Sequence, residues 1–76
     1  MGRWINFGIF LLGLRKATKL DRALASSLLG LDEETLGAWE EGEILPPIEK
    51  LRLISPLYMI SYDELLDVWE SEKRKS

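Results

Sequence analysis

Charged side chains carry most of what this sequence could do chemically. Thirteen Asp and Glu stand against ten Lys and Arg, with neither histidine nor cysteine. Without His there is no group that titrates near neutrality and no imidazole ligand for a metal. Without Cys there is no thiolate nucleophile and no disulfide framework. None of the carboxylates falls at an apolar helical position that would raise its pKa toward acid–base work. They lack the spacing of a calcium loop, and no Gly-rich phosphate loop is present. The sequence therefore reads as no enzyme, with no cofactor, no metal and no small-molecule substrate. What remains is binding. Arg15, Lys16, Lys19 and Arg22 form a basic cluster interrupted only by Asp21. Such a cluster is either a solvated helix end or a patch that meets phosphates. Asp32, Glu33, Glu34, Glu40, Glu41, Glu43 and Glu49 occupy a span without Lys or Arg. The net charge is −3 and the pI about 4.9, whereas nucleic-acid surfaces are usually basic.

The elements that position these charges centre on Leu24 to Trp39. Leu24, Ala25 and Leu28 predict an apolar helical face. Gly30 follows Leu29 where a helix end wants a residue tolerant of positive φ. Asp32 stands at an N-cap position three residues before Thr35, and Leu36 and Trp39 share one face of the next helix. The pattern is a helix over about 21–29, a tight turn, and a helix over about 33–40. Trp39 reads as core. Ile5 to Leu14 reads as a first helix with Leu11 and Leu14 inward. The run is too short to span a bilayer. It has the leading Arg3 of a signal-peptide core, but no small-residue cleavage pattern follows. Ile9, Phe10 and Leu12 make this helix apolar all round, so something should cover it. That cover is a dimer partner, another protein, or the chain's own Trp4 or last helix.

Beyond Trp39, Gly42, Pro46 and Pro47 mark a linker. Ile48, Leu51 and Ile54 stripe a fourth helix, expected to bend or break just before Pro56. Ser61-Tyr62-Asp63-Glu64 is a capping box opening a fifth helix with Leu65, Leu66 and Trp69. Ser71 to Ser76 reads as a frayed, charged end. Seventy-six residues allow one domain, here all-α with five helices, and a core that a dimer would help. The absence of cysteine fits a cytoplasmic location.

Residues 7–66 resemble the XRE, or lambda-repressor-like, helix-turn-helix domain. Gly8, Leu11, Leu14 and Arg15 match its first helix; Leu24-Ala25, Gly30 and Leu36 match its helix-turn-helix. Glu40, Gly42 and Pro46 match the E-x-G-x-x-x-P link. Ile48, Leu51 and Ile54 match helix four, and Leu65-Leu66 helix five. The resemblance implies a five-helix bundle acting as a dimeric DNA-binding transcriptional regulator. It puts the third helix in the major groove of double-stranded DNA, with Glu33, Glu34, Thr35 and Ala38 toward bases and Gly37 and Glu41 also exposed. It puts Arg15, Lys16, Lys19 and Arg22 toward phosphates. Glu40 becomes a structural residue that caps or braces the loop after it.

This sequence departs from the family pattern in places. Leu20-Asp21 replace its common Ser-Gln, and Asp21 would repel phosphate. Met59 stands where Gly is preferred, so that turn should be remodelled. Ile44 and Leu45 stand where polar or basic residues are usual. The alternative reading is a protein–protein interaction module on the same fold without DNA binding. Its interface candidates are Ile9, Phe10, Leu12, Ile44, Leu45 and Trp69, together with the acidic face.

Overall fold

The computed structural model describes residues 2–75, which form five α-helices and no strand. They are α1 (Ile5–Ala17), α2 (Arg22–Leu28), α3 (Glu33–Glu40), α4 (Leu51–Leu57) and α5 (Tyr62–Arg74), with a 3₁₀ turn at Ile48–Lys50. Among the described residues, no helix is long and apolar enough to cross a membrane. The core joins Phe7, Leu11, Ala25, Leu29, Leu36, Trp39, Leu51, Ile54, Tyr58, Leu65 and Trp69, so every helix contributes to one apolar cluster.

The inner face of α1 is Phe7, Gly8, Leu11 and Arg15, spaced as one side of a helix. Gly8 sets how closely α1 approaches α3. A Cβ there would stand 2.5 Å from the Glu40 carbonyl oxygen and 2.8 Å from that of Trp39. Gly42 has φ +78° and lies against the start of α1, where the Trp4 amide donates to its carbonyl at 2.8 Å. Leu14 and Phe10 are half-buried against the core, and Phe10 meets the Phe7 ring at 6.3 Å between centroids. Leu12 is half-buried and Ile9 exposed.

Several expectations need correction. The buried side of α2 is Ala25, Ser26 and Leu29; Leu24 and Leu28 are exposed. An i, i+4 pair begun one residue later lies 100° further round the helix, and Leu29, whose backbone is still helical, continues the inward face of Ala25. The helix itself is shorter than expected because Asp21 and Leu29 are its caps.

The fourth helix does not break before Pro56, which lies inside α4. The helix starts at Leu51, so the missing N–H deprives only the Arg52 carbonyl of its partner. Ile48 falls in the 3₁₀ turn and is exposed. The turn after α4 is not remodelled at its backbone: Met59 itself takes the left-handed conformation, φ 58°. Lys19 does the same after α1, φ 60°. Each accepts the strain a Cβ brings there. Ser55 helps fix the α4 end by donating its hydroxyl to the Ile60 carbonyl at 2.9 Å.

Ser61 caps α5 by accepting from the Glu64 amide at 3.1 Å. The Ser61 hydroxyl points to the Glu64 carboxylate at 3.4 Å, longer than an ordinary hydroxyl–carboxylate hydrogen bond. The segment expected to fray is helical through Arg74, with Glu72 buried; Ser76 lies outside the described residues. Trp69 is core, 9 % exposed, and its indole N–H donates to the Pro46 carbonyl at 2.8 Å. It is therefore withdrawn as an interface residue. Its satisfied N–H is what lets a tryptophan sit so deep.

Candidate nucleic-acid interface

Two N-caps with the same local design frame α2 and α3. The Asp21 carboxylate accepts from the Leu24 amide at 2.8 Å, and that of Asp32 from the Thr35 amide at 2.8 Å. Each satisfies an amide the helix leaves free and places a negative charge at the positive end of the dipole. The Thr35 hydrogen bonds hold the Asp32 carboxyl below its ordinary pKa. Between the helices, Gly30 at φ 72° lets the Leu31 amide reach back to the Ser26 carbonyl at 2.8 Å and the Gly30 amide to that of Ser27 at 3.1 Å. This paired closure fixes the turn. Lys50 reaches in from the 3₁₀ turn and donates to the Leu29 carbonyl at 3.2 Å. Sequence reasoning missed Asp21 as a cap, although an aspartate three residues before Leu24 repeats the Asp32–Thr35 spacing.

Behind the turn lies a buried ion pair. Arg15 donates through Nε to Glu40 Oε2 at 2.6 Å and through Nη2 to Oε1 at 3.1 Å, while Nη1 meets the Leu20 carbonyl at 2.9 Å. Arg22 adds a bond from Nη2 to Glu40 Oε1 at 3.3 Å. The Glu40 side chain is 1 % exposed. One carboxylate thus ties α1, α2 and α3 together. The Glu40 hydrogen bond raises the Arg15 pKa above its ordinary value in spite of desolvation. Arg15 therefore does not face phosphates: it continues the inner α1 stripe of Phe7, Gly8 and Leu11, and its guanidinium is consumed. Glu40 braces helices, not the loop after it.

Tyr58 borders this pair. Its hydroxyl is buried without a hydrogen-bond partner among the described residues, and burial, reinforced by Glu40 and opposed by Arg15, pushes its pKa up to about 12. An unfolded phenol titrates near 10.0. The contribution to stability is complete below that pH and is lost as pH rises from about 10 toward about 12, because the unfolded chain releases the proton first. Thermal denaturation across that window should show the native chain losing more stability than Tyr58→Phe. At neutral pH the variant should be near neutral, since the hydroxyl makes no bond to lose.

Of the base-facing candidates, Glu33 and Glu34 are exposed on the first turn of α3, and Thr35 and Ala38 are half-buried. Gly37, expected at the surface, is buried. Arg22 lies over it, so that a Cβ would come within 3.2 Å of Nη1. Of the phosphate-facing candidates, Lys16 and Lys19 are exposed and Arg22 is half-buried. Arg22, Glu33, Glu34, Gly37, Ala38, Glu41 and Glu43 line one shallow groove. Ile44 is exposed beyond it, while Leu45 packs partly on the core. Among the described residues, no group of three acidic, His or Cys side chains could hold a metal ion. The arrangement presents the first turn of α3 with the exposed carboxylates of Glu33 and Glu34, while Lys16 and Lys19 are exposed at the end of α1 and just beyond it. No family model, curated protein or solved structure matches this chain.

Proposed function

We propose that the chain is a helix-turn-helix DNA-binding domain of the XRE kind, a small transcriptional regulator that works as a dimer. The observation carrying this reading is the pair of capped helices α2 and α3 at a fixed turn, with the first turn of α3 projecting into solvent. A recognition helix enters the major groove by that end. Glu33 and Glu34 can accept from the exocyclic amine of cytosine, Thr35 can bond either kind of edge, and Ala38 can meet a thymine methyl. Lys16 and Lys19 face phosphates, with the outer part of Arg22 beside them. Glu40, one of the acids that would count against DNA, is neutralised in the buried pair.

A second reading keeps the fold and gives the surface to a protein. The groove around Arg22 favours it, because Glu33, Glu34, Glu41 and Glu43 line it. These carboxylates would repel phosphates at close quarters.

Fluorescence anisotropy of a labelled random duplex separates the two. Non-specific binding draws on phosphate contacts and needs no knowledge of the operator. The DNA reading expects association at low salt that weakens steeply as salt rises. Absence of binding at low salt overturns it and leaves the protein-binding module.

A further inference from the structure

The outward face of α1 is only partly covered by the fold: Ile5 and Leu12 are half-buried and Ile9 is exposed. Ile5, Ile9 and Leu12 line one shallow apolar groove together with Glu41 and Glu43, and Ile9 is 59 % exposed. Lys16 follows Leu12 by one helical turn on the same stripe and is exposed. Beside the stripe, no other element among the described residues comes within 4 Å of the place a Gly13 Cβ would occupy. The face is therefore apolar along its middle, acidic at the Ile5 end and basic at the Lys16 end.

We propose that two copies of this chain associate through this face, their α1 helices antiparallel across a two-fold axis. The charge layout selects that occupant. In the antiparallel arrangement, Lys16 of each copy comes to the Ile5 end of the other, where Glu41 and Glu43 stand. A parallel arrangement would set acids against acids and lysine against lysine. A uniformly basic partner would match Glu41 and Glu43 but meet Lys16 unfavourably. A two-fold interface uses the same patch on both subunits and must be self-complementary, as this stripe is. Ile9 sits near its middle, where burial is most complete. Antiparallel helices also oppose their dipoles favourably. The inference does not depend on DNA binding; in this dimer Lys16 is taken up by the second copy, which leaves Lys19 and Arg22 for phosphates, and Trp69, being core, takes no part.

Sedimentation equilibrium of the full chain, from micromolar to near-millimolar concentration, tests it. A monomer–dimer equilibrium is expected. Ile9→Glu, at an exposed position and checked for helicity by circular dichroism, should raise the dissociation constant at least about tenfold. Lys16→Glu should weaken the dimer as well, and adding Glu41→Lys and Glu43→Lys to that chain should restore it. A monomer at every concentration overturns the proposal, as does a dimer indifferent to Ile9→Glu. Failure of the charge-swapped chain to recover overturns the antiparallel arrangement. Loss of DNA binding with the dimer intact would overturn only the DNA reading.

Discussion

Glu40→Ala is expected to bring the chain to the edge of unfolding at room temperature. The substitution removes the carboxylate that accepts both Arg15 bonds and the Arg22 bond. Arg15, 9 % exposed, then keeps only its bond to the Leu20 carbonyl. Breaking a buried pair by deleting one partner costs about 3–5 kcal/mol, because the remaining charge stays desolvated. A domain of this size sits near the bottom of the usual stability range of about 5–15 kcal/mol. At about 4–8 °C per kcal/mol, the melting temperature should fall by tens of degrees, if a transition survives.

Arg15→Met with Glu40→Leu should recover much of the loss, since apolar residues of similar volume often replace a buried pair at little cost. Circular dichroism melts of the single and double variants distinguish the cost of an orphaned charge from loss of packing. If Glu40→Ala melted within a few degrees of the native chain, the pair would not be what holds α1, α2 and α3 together.

The sequence showed the helices and the hinge points well, because these depend on local chemistry. Gly30 after Leu29 and Asp32 before Thr35 each imply a particular backbone geometry within a few residues, and both are found. The core assignment of Trp39 follows from helical spacing and is also found. Errors arose where the outcome depended on distant partners. Nothing local distinguishes Arg15 from Lys16: one lies on the inner stripe of α1 and meets a carboxylate twenty-five positions away, the other faces solvent.

Leu24 and Leu28 show the same limit. In a helix as short as α2, one residue of register decides which of two adjacent leucine-bearing faces is buried. Trp69 looked like a surface anchor because the carbonyl that satisfies its indole, that of Pro46, belongs to a linker whose path the sequence does not specify. For the candidate interface, the exposed first turn of α3 was legible. The covering of Gly37 by Arg22 was not, since it follows from the pull of Glu40 on a side chain of another helix.

Glu33→Lys with Glu34→Lys should increase affinity for random duplex on the order of a hundredfold at low salt. The reasoning is electrostatic. Each new phosphate contact steepens the fall of log K with log salt by about 0.9, and two contacts per protomer are worth roughly two decades at tens of millimolar salt. Removal of two repelling carboxylates acts in the same direction. The reversal gives up the favourable placement of acids at the start of α3, worth about 0.3–1 kcal/mol each. Glu33→Gln with Glu34→Gln should therefore be measured beside it, with an intermediate gain and a smaller effect on the helix.

The salt slope matters more than the affinity. If α3 docks against DNA by its first turn, the lysine variant should gain about 1.8 in slope per docked protomer over the native chain, and the glutamine variant much less. A higher affinity with an unchanged slope would mean that the new lysines act at a distance and that α3 does not meet the backbone. No binding by a folded lysine variant would end the major-groove reading, for the two carboxylates at the end of α3 that enters the groove would have been replaced by lysines. The acidic groove around Arg22 would then be the place to look for a basic protein partner.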